Sequence, residues 1–250
     1  MHPSYNGVIS SNMDEYFRAQ NGMPIGYFYG LKTAGIFQNQ GEIDAYTSKG
    51  GQKIQPGAQP GDARFVDMNG DGAITAADKT KVGDPNPKQT YGISLSAGWR
   101  GFDLSVLLSG VGGNDIVDGT RAYDRYYNNY TTAIFDRWHG EGTSNTLPRV
   151  TLNDEPNQNY TRFSDLYVHN GAFMRIKSIN FGYDFKKTLL KNAPVQQFRL
   201  YVSGLNVFTF THYRGLDPEV GYGIDSWSSG TDLGYFPQPR TILFGLNVKF

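Results

Sequence analysis

The chain has 250 residues with 23 basic and 23 acidic side chains, so its net charge is zero and no overall field favours nucleic acid or an anionic surface. Its 31 glycines and 14% aromatic residues stand beside only 38% hydrophobic ones, a balance that suits strands and turns and argues against a helical bundle. Without cysteine there is no disulfide framework, thiolate metal site or cysteine nucleophile, and apolar runs of a few residues fall far short of the roughly 20 that cross a bilayer as a helix.

Six segments alternate with a period of two, the pattern of strands with two unlike faces. The first runs from Ile25 to Phe37, with Tyr27, Tyr29, Leu31 and Phe37 in phase. The second, Gln89 to Arg100, sets Tyr91, Ile93, Leu95, Ala97 and Trp99 against Thr90, Gly92, Ser94, Ser96 and Gly98. A tight turn at Arg100-Gly101 leads into the third, where Phe102, Leu104, Val106 and Leu108 oppose Asp103, Ser105, Leu107 and Ser109. A short helix is predicted over Thr132 to Trp138. In the fourth strand Ile179, Phe181 and Tyr183 form the apolar side, and Arg175 and Lys177 continue that side toward the preceding long loop. Phe198, Leu200, Val202, Phe208 and Phe210 share a face of the fifth. Ile242, Phe244, Leu246, Val248 and Phe250 share a face of the last.

Long and short connections alternate. The long ones cover about 39–88, 111–172 and 211–240, and structureless loops beyond about 12–15 residues are uncommon in compact domains. An up-and-down sheet with all long loops at one end, strands of about 10–14 residues, and one apolar face without charge at its middle is what a transmembrane β-barrel requires. The expected fold is therefore all-β: about six antiparallel strands of a large barrel with long extracellular loops. Residues 1–24 would be a partial extension before the first strand and 25–250 the barrel part. The alternative is a soluble, calcium-stabilised β-sandwich that binds glycans.

Asp67, Asn69 and Asp71 fall at positions 1, 3 and 5 of a calcium-type loop, with Gly72 at position 6, the Ala73 carbonyl at 7 and Asp78 at 12. Carboxylate and carboxamide oxygens at that spacing converge on a hard cation; Asp at position 12 is shorter than the usual Glu and predicts weaker coordination. A turn stabilised by Asx hydrogen bonds without any ion is the competing reading. Tyr123, Tyr126, Tyr127, Trp138 and Trp227 are flat rings among polar neighbours in the long loops, suited to a sugar or peptide ligand or to packing the loops on themselves. His2, His139, His169 and His212 form no i, i+4 pair, and no nucleophile elbow or phosphate loop is present, so no catalytic residue and no enzyme activity is expected.

The order of motifs resembles the C-terminal part of SusC/RagA-type TonB-dependent outer-membrane transporters of Bacteroidetes-like bacteria. The matching segments are Pro24–Gly30, Gly35–Gln38, Pro60–Gly72, Val82–Lys88, Gly101–Ser105, Phe173–Tyr183, Val202–Phe210, Gly215–Glu219 and Pro239–Gly245. Phe244, Leu246, Val248 and terminal Phe250 resemble the signal read by the barrel-assembly machinery. The resemblance implies a large plugged barrel in outer-membrane lipid, importing oligosaccharides or peptides with a SusD-like surface lipoprotein and energy from TonB. It also implies that the plug and TonB box lie outside this chain and that Met1 is an internal methionine or a fragment boundary.

Overall fold

The computed structural model describes residues 4–5, 16–18, 20–120, 132–151, 154–220 and 229–250. In chain order its strands are β1 (Ser4–Tyr5), β2 (Phe17–Arg18), β3 (Tyr27–Gly30), β4 (Thr33–Ile36), β5 (Ala63–Phe65), β6 (Thr80–Gly83), β7 (Gln89–Trp99) and β8 (Phe102–Gly112). There follow β9 (Asp115–Asp118), β10 (Val168–Asn170), β11 (Phe173–Asp184), β12 (Gln197–Thr211), β13 (Thr231–Asp232) and β14 (Thr241–Lys249). The helical elements include α1 (Gln40–Ala45) and a 3₁₀ turn at Thr132–Asp136, where the sequence predicts a short helix. The chain divides into a strand unit, 87–114, 170–219 and 235–250, and a loop unit, 1–86, 115–169 and 220–234.

The strand unit is one five-stranded sheet in the order β14-β12-β11-β8-β7, with every neighbouring pair antiparallel. At its tight end, Arg100 and Gly101 both take positive φ, 43° and 91°, the backbone of a two-residue hairpin turn that matches strand twist. The Arg100 guanidinium lies 5.1 Å from the centre of the Trp99 ring.

Register sorts the side chains more cleanly than alternation alone. Ile93 pairs with Leu108, which pairs with Ile176, which pairs with Phe208; Leu104, Phe181, Val202 and Phe244 make a second apolar row. Between Ile176 and Ser178 the register shifts, because Lys177 is an extra residue against β8, while β12 spends both Asn206 and Val207 at the same level. Asn206 takes a φ of 50° there. A bulge of one residue exchanges the faces. This corrects the expectation that Arg175 continues the apolar side: Arg175 is opposite Ser109 and Thr209, on the polar face.

The sheet also has five strands where six are expected. The Ile25–Phe37 segment breaks into β3 and β4, which belong to separate sheets: β1-β2-β3-β6 and β4-β5. The reason is visible in its side chains. Tyr27 and Phe28 are adjacent and both buried, so the strand has no exposed apolar face to offer. Gly30 lies against the Phe163 ring, where an added Cβ would stand 2.7 Å from a ring carbon.

The loop unit carries cores of its own. Tyr16, Phe17, Phe28, Val117, Phe163 and Tyr167 form one cluster; Leu31, Ala63 and Phe65 a second; Phe37, Ile43 and Ala58 a third. β9 pairs in parallel with β13, joining the second and third long connections through Thr231 opposite Val117.

Candidate functional site

The sheet is a wall with unlike sides. Its apolar face leaves Leu95 57%, Ile242 62% and Phe244 84% exposed, together with Ile93, Leu104, Phe181, Leu200, Phe208, Phe210 and Leu246. A contiguous patch of that kind is an unfavourable surface in water and a natural one in hydrocarbon. Phe244, Leu246 and Val248, expected in the assembly signal, lie on it along the edge strand β14; Phe250 follows that strand, 84% exposed.

The opposite face is bound by polar contacts, with Leu107, Leu205 and Leu243 as exposed apolar residues interspersed on it. Arg199 donates Nε to Asp103 Oδ1 at 2.8 Å and Nη2 to Oδ2 at 2.5 Å, crossing β11 above Gly182. A Cβ on Gly182 would stand 2.3 Å from the Arg199 guanidinium, so this ion pair depends on a glycine beneath it. Tyr201 lies over Gly245 in the same way, with its ring 2.2 Å from where a Cβ would be.

At the long-loop end the polar face closes in a clasp. Arg175, 2% exposed, donates Nε to Thr209 Oγ1 at 2.8 Å, Nη1 to Glu219 Oε2 at 2.7 Å, and Nη2 to Asp217 Oδ1. Lys177 adds Nζ contacts to both Glu219 oxygens at 2.7 and 2.8 Å. Asp217 accepts the Glu219 amide on Oδ1 and the Gln238 amide on Oδ2, both at 2.9 Å, so one carboxylate ties together the two limbs of the last long loop. Burial pushes the Asp217 pKa up, but the two amides and the Arg175 guanidinium outweigh it and hold the carboxyl below its usual range. Beside it a cleft of about 430 Å³ is lined by Arg175, Thr209, Asp217, Gln238 and Arg240.

In the loop unit the calcium-type segment folds as consecutive Asx turns. Asp67 accepts the Gly70 and Gly72 amides at 2.7 and 2.9 Å, Asn69 accepts the Asp71 amide at 2.9 Å, and Asp71 accepts the Ala73 amide at 3.0 Å. Each such oxygen keeps a second lone pair. Asp78 is different: it is fully buried, its Oδ1 accepts the Met68 amide at 2.9 Å, and its Oδ2 accepts the Thr75 amide at 2.7 Å in a capping box. Among the described residues no three His, Asp or Glu side chains gather closely enough to hold a metal. The donors that remain are Asp67, Asn69, Asp71 and the Ala73 carbonyl, a weak set.

Trp138 lies flat on Gly61, 2.3 Å from the position of an added Cβ, and its indole N–H donates to Gln38 Oε1 at 3.2 Å. Tyr123, Tyr126, Tyr127 and Trp227 fall outside the described residues.

Sequence reasoning missed a buried polar network between the first and second long connections. Asp62 accepts from Arg149 Nε at 2.6 Å and from Asn159 Nδ2 at 2.9 Å, while Asn159 Oδ1 accepts the Ala63 amide at 2.8 Å. Gln55 and Asn157 extend it. Asp154 sits at its edge with a raised pKa, because burial outweighs the Tyr160 and Asn159 amides that it accepts. The available hint was Asn157-Gln158-Asn159, a polar run that only the fold brings to Asp62.

No family model matches the chain. It is 31% identical to TonB-dependent receptor P3 of Formosa agariphila over 237 residues, 92% of this chain and 23% of that receptor. It is 29% identical to TonB-dependent receptor SusC of Bacteroides thetaiotaomicron over 202 residues, 80% of this chain and 19% of SusC. In fold it superposes on a chain of the RagAB peptide importer in the open-open state with a TM-score of 0.66 at 18% identity, over 94% of this chain and 23% of the other. A sheet with one exposed apolar face, aligned on such a structure, defines part of a TonB-dependent receptor barrel of the outer membrane. More narrowly, the chain belongs to the SusC/RagA family, a family of Bacteroidetes outer-membrane receptors and not of enzymes. It spans less than a quarter of the length of these two curated relatives.

Proposed function

We propose that this chain is the C-terminal barrel portion of a SusC-like importer, which takes up oligosaccharides or peptides with a SusD-like lipoprotein partner and is energised by TonB through a region outside this chain. The observation that carries the reading is the two-faced sheet: an exposed apolar side for lipid, a polar side for a wet lumen, and long connections that all leave the antiparallel strands from the same end. The RagAB complex, described as a peptide importer, supports a peptide substrate and a RagB-like partner; the SusC relative supports the family assignment.

The test uses the full-length receptor in its own outer membrane, with single cysteines at Leu95 and Ser96, neighbours on opposite faces of β7. A water-soluble maleimide should modify the Ser96→Cys variant and spare Leu95→Cys. Equal modification of both would overturn the barrel reading and favour the soluble glycan-binding sandwich. Uptake assays with a gene deletion, comparing oligosaccharide and peptide mixtures, separate the two substrate classes.

The proposal extends to calcium as a structural ion in the 67–78 loop, supported by the Asx turns at positions 1, 3 and 5 and the Gly72 φ of 88° at position 6. Since Asp78 is committed to backbone amides, binding should be weak, near the millimolar end of the range for such loops. Absence of calorimetric heat at that concentration would refute it.

A further inference from the structure

We propose that the short-connection end of the sheet seats one anionic glycerophospholipid, with an acyl chain in an apolar groove and the phosphate on the lysines of the 185–196 link. The proposal rests on the barrel reading above, which puts the apolar face in hydrocarbon. The groove, about 540 Å³, crosses β11, β12 and β14. Its origin lies in register: Phe181, Val202 and Phe244 form one row and Tyr183, Leu200 and Leu246 the next, so Val202 stands between two rings and two leucines continue the trough beside Tyr183. Phe185, at the start of the link, also lines the groove, and its ring meets Tyr183 edge-on at 4.8 Å and Phe198 at 5.8 Å.

Charge selects the occupant. The link itself carries Lys186, Lys187 and Lys191 beside one acid, Asp184, while Arg199, Asp103 and Lys249 lie on the polar face. Asp103 is taken by Arg199, and Asp184 accepts the Lys186 amide at 3.0 Å. Lys186 Nζ is pinned to the Lys191 and Ala193 carbonyls at 2.7 and 2.9 Å, which fixes a cation on the link; Lys187 and Lys191 are exposed. Leu189, 73% exposed, and Leu190 lie between those lysines in sequence, and apolar tips flanked by cations are the composition of a segment seated in the head-group layer. A zwitterionic head group brings its own cation to this surplus, whereas a phosphodiester with net negative charge neutralises it. A peptide in the groove would leave backbone groups unpaired in hydrocarbon.

The experiment is native mass spectrometry of the full-length receptor in neutral detergent, titrated with dioleoyl-phosphatidylglycerol and, separately, dioleoyl-phosphatidylcholine. One phosphatidylglycerol should be retained in preference to phosphatidylcholine. Lys187→Gln with Lys191→Gln should weaken retention about 30-fold, and Val202→Trp, which fills the groove, should remove it. Heat-modifiable migration on gels checks the barrel in each variant. A barrel that is intact yet retains both lipids equally, or is unaffected by the lysine pair, overturns the lipid seat alone. A receptor with no heat-modifiable form overturns the barrel reading and the seat together.

Discussion

Replacing Asp217 by Asn in the full-length receptor removes one charge from the Arg175 clasp with almost no change of shape. Both partners are nearly buried, with side chains 3% and 7% exposed, so the loss leaves a guanidinium without its closest counter-charge. Breaking such a pair costs about 3–5 kcal/mol. Glu219 stays beside Arg175 but is 39% exposed, so it offsets only part of the loss, and about 3 kcal/mol is expected. The opening is local to the base of one loop, which makes amide hydrogen exchange the right assay. Protection of the Glu219 and Gln238 amides, both held by Asp217, should fall by roughly 100-fold. Glu219→Gln, at an exposed position, should cost about 1 kcal/mol or less. A drop below about tenfold for Asp217→Asn, or equal effects of the two variants, would refute the clasp. The pH dependence has a definite sign. The folded pKa of Asp217 lies below the unfolded value of about 3.9, so its contribution is complete above that value and is lost as pH falls through the folded one. The Asn variant should lack that acid-side loss.

Three further outcomes follow from the same geometry. Leu95→Arg on the apolar face should destabilise the inserted barrel by about 2–4 kcal/mol in urea titrations, and Ser96→Arg on the polar face far less; similar costs would contradict the assignment of faces. Gly110→Ala should depress the yield of folded receptor, because its Cβ would stand 2.2 Å from the Phe173 carbonyl oxygen, while Gly92→Ala, with its nearest neighbour at 3.9 Å, should be tolerated. Asn159→Ala strands the Ala63 amide and removes a donor to buried Asp62, at about 3 kcal/mol, and limited proteolysis of the loop unit should detect the loosening.

The strands of the wall were legible because lipid and lumen impose a period of two over 9 to 15 residues, and Gln89–Trp99 shows it without interruption. What alternation cannot carry is a change of phase. Arg175 looked like an extension of the apolar side because parity was counted straight through Lys177, and a bulge writes no distinctive residue into the sequence. The Ile25–Phe37 segment misled for the opposite reason. Its aromatics alternate as a membrane strand would, yet burial on all sides in a compact unit rewards the same residues. The clasp was half visible, since Gly215–Glu219 was singled out as a motif, but its partner Arg175 is 42 residues from Asp217 and only the fold brings them together.

The paired bulges at Lys177 and Asn206 also constrain how this stretch of chain can change over time. Within β11, position relative to the bulge determines which solvent a side chain meets, much as a reading frame determines which amino acid a codon gives; β12 spends two residues at that level and keeps its phase. Losing Lys177 alone would remove the bulge and leave Arg175 and Ile176 on the faces they now occupy, whereas one residue more or fewer between an intact bulge and Arg175 would turn Arg175 toward lipid. A point substitution is felt at one site, whereas an insertion or deletion that the bulge does not absorb is felt by the whole upper strand, and its neighbour would have to shift with it. Variation in length should therefore be confined to the bulge and to the long loops, where the chain has freedom to absorb it.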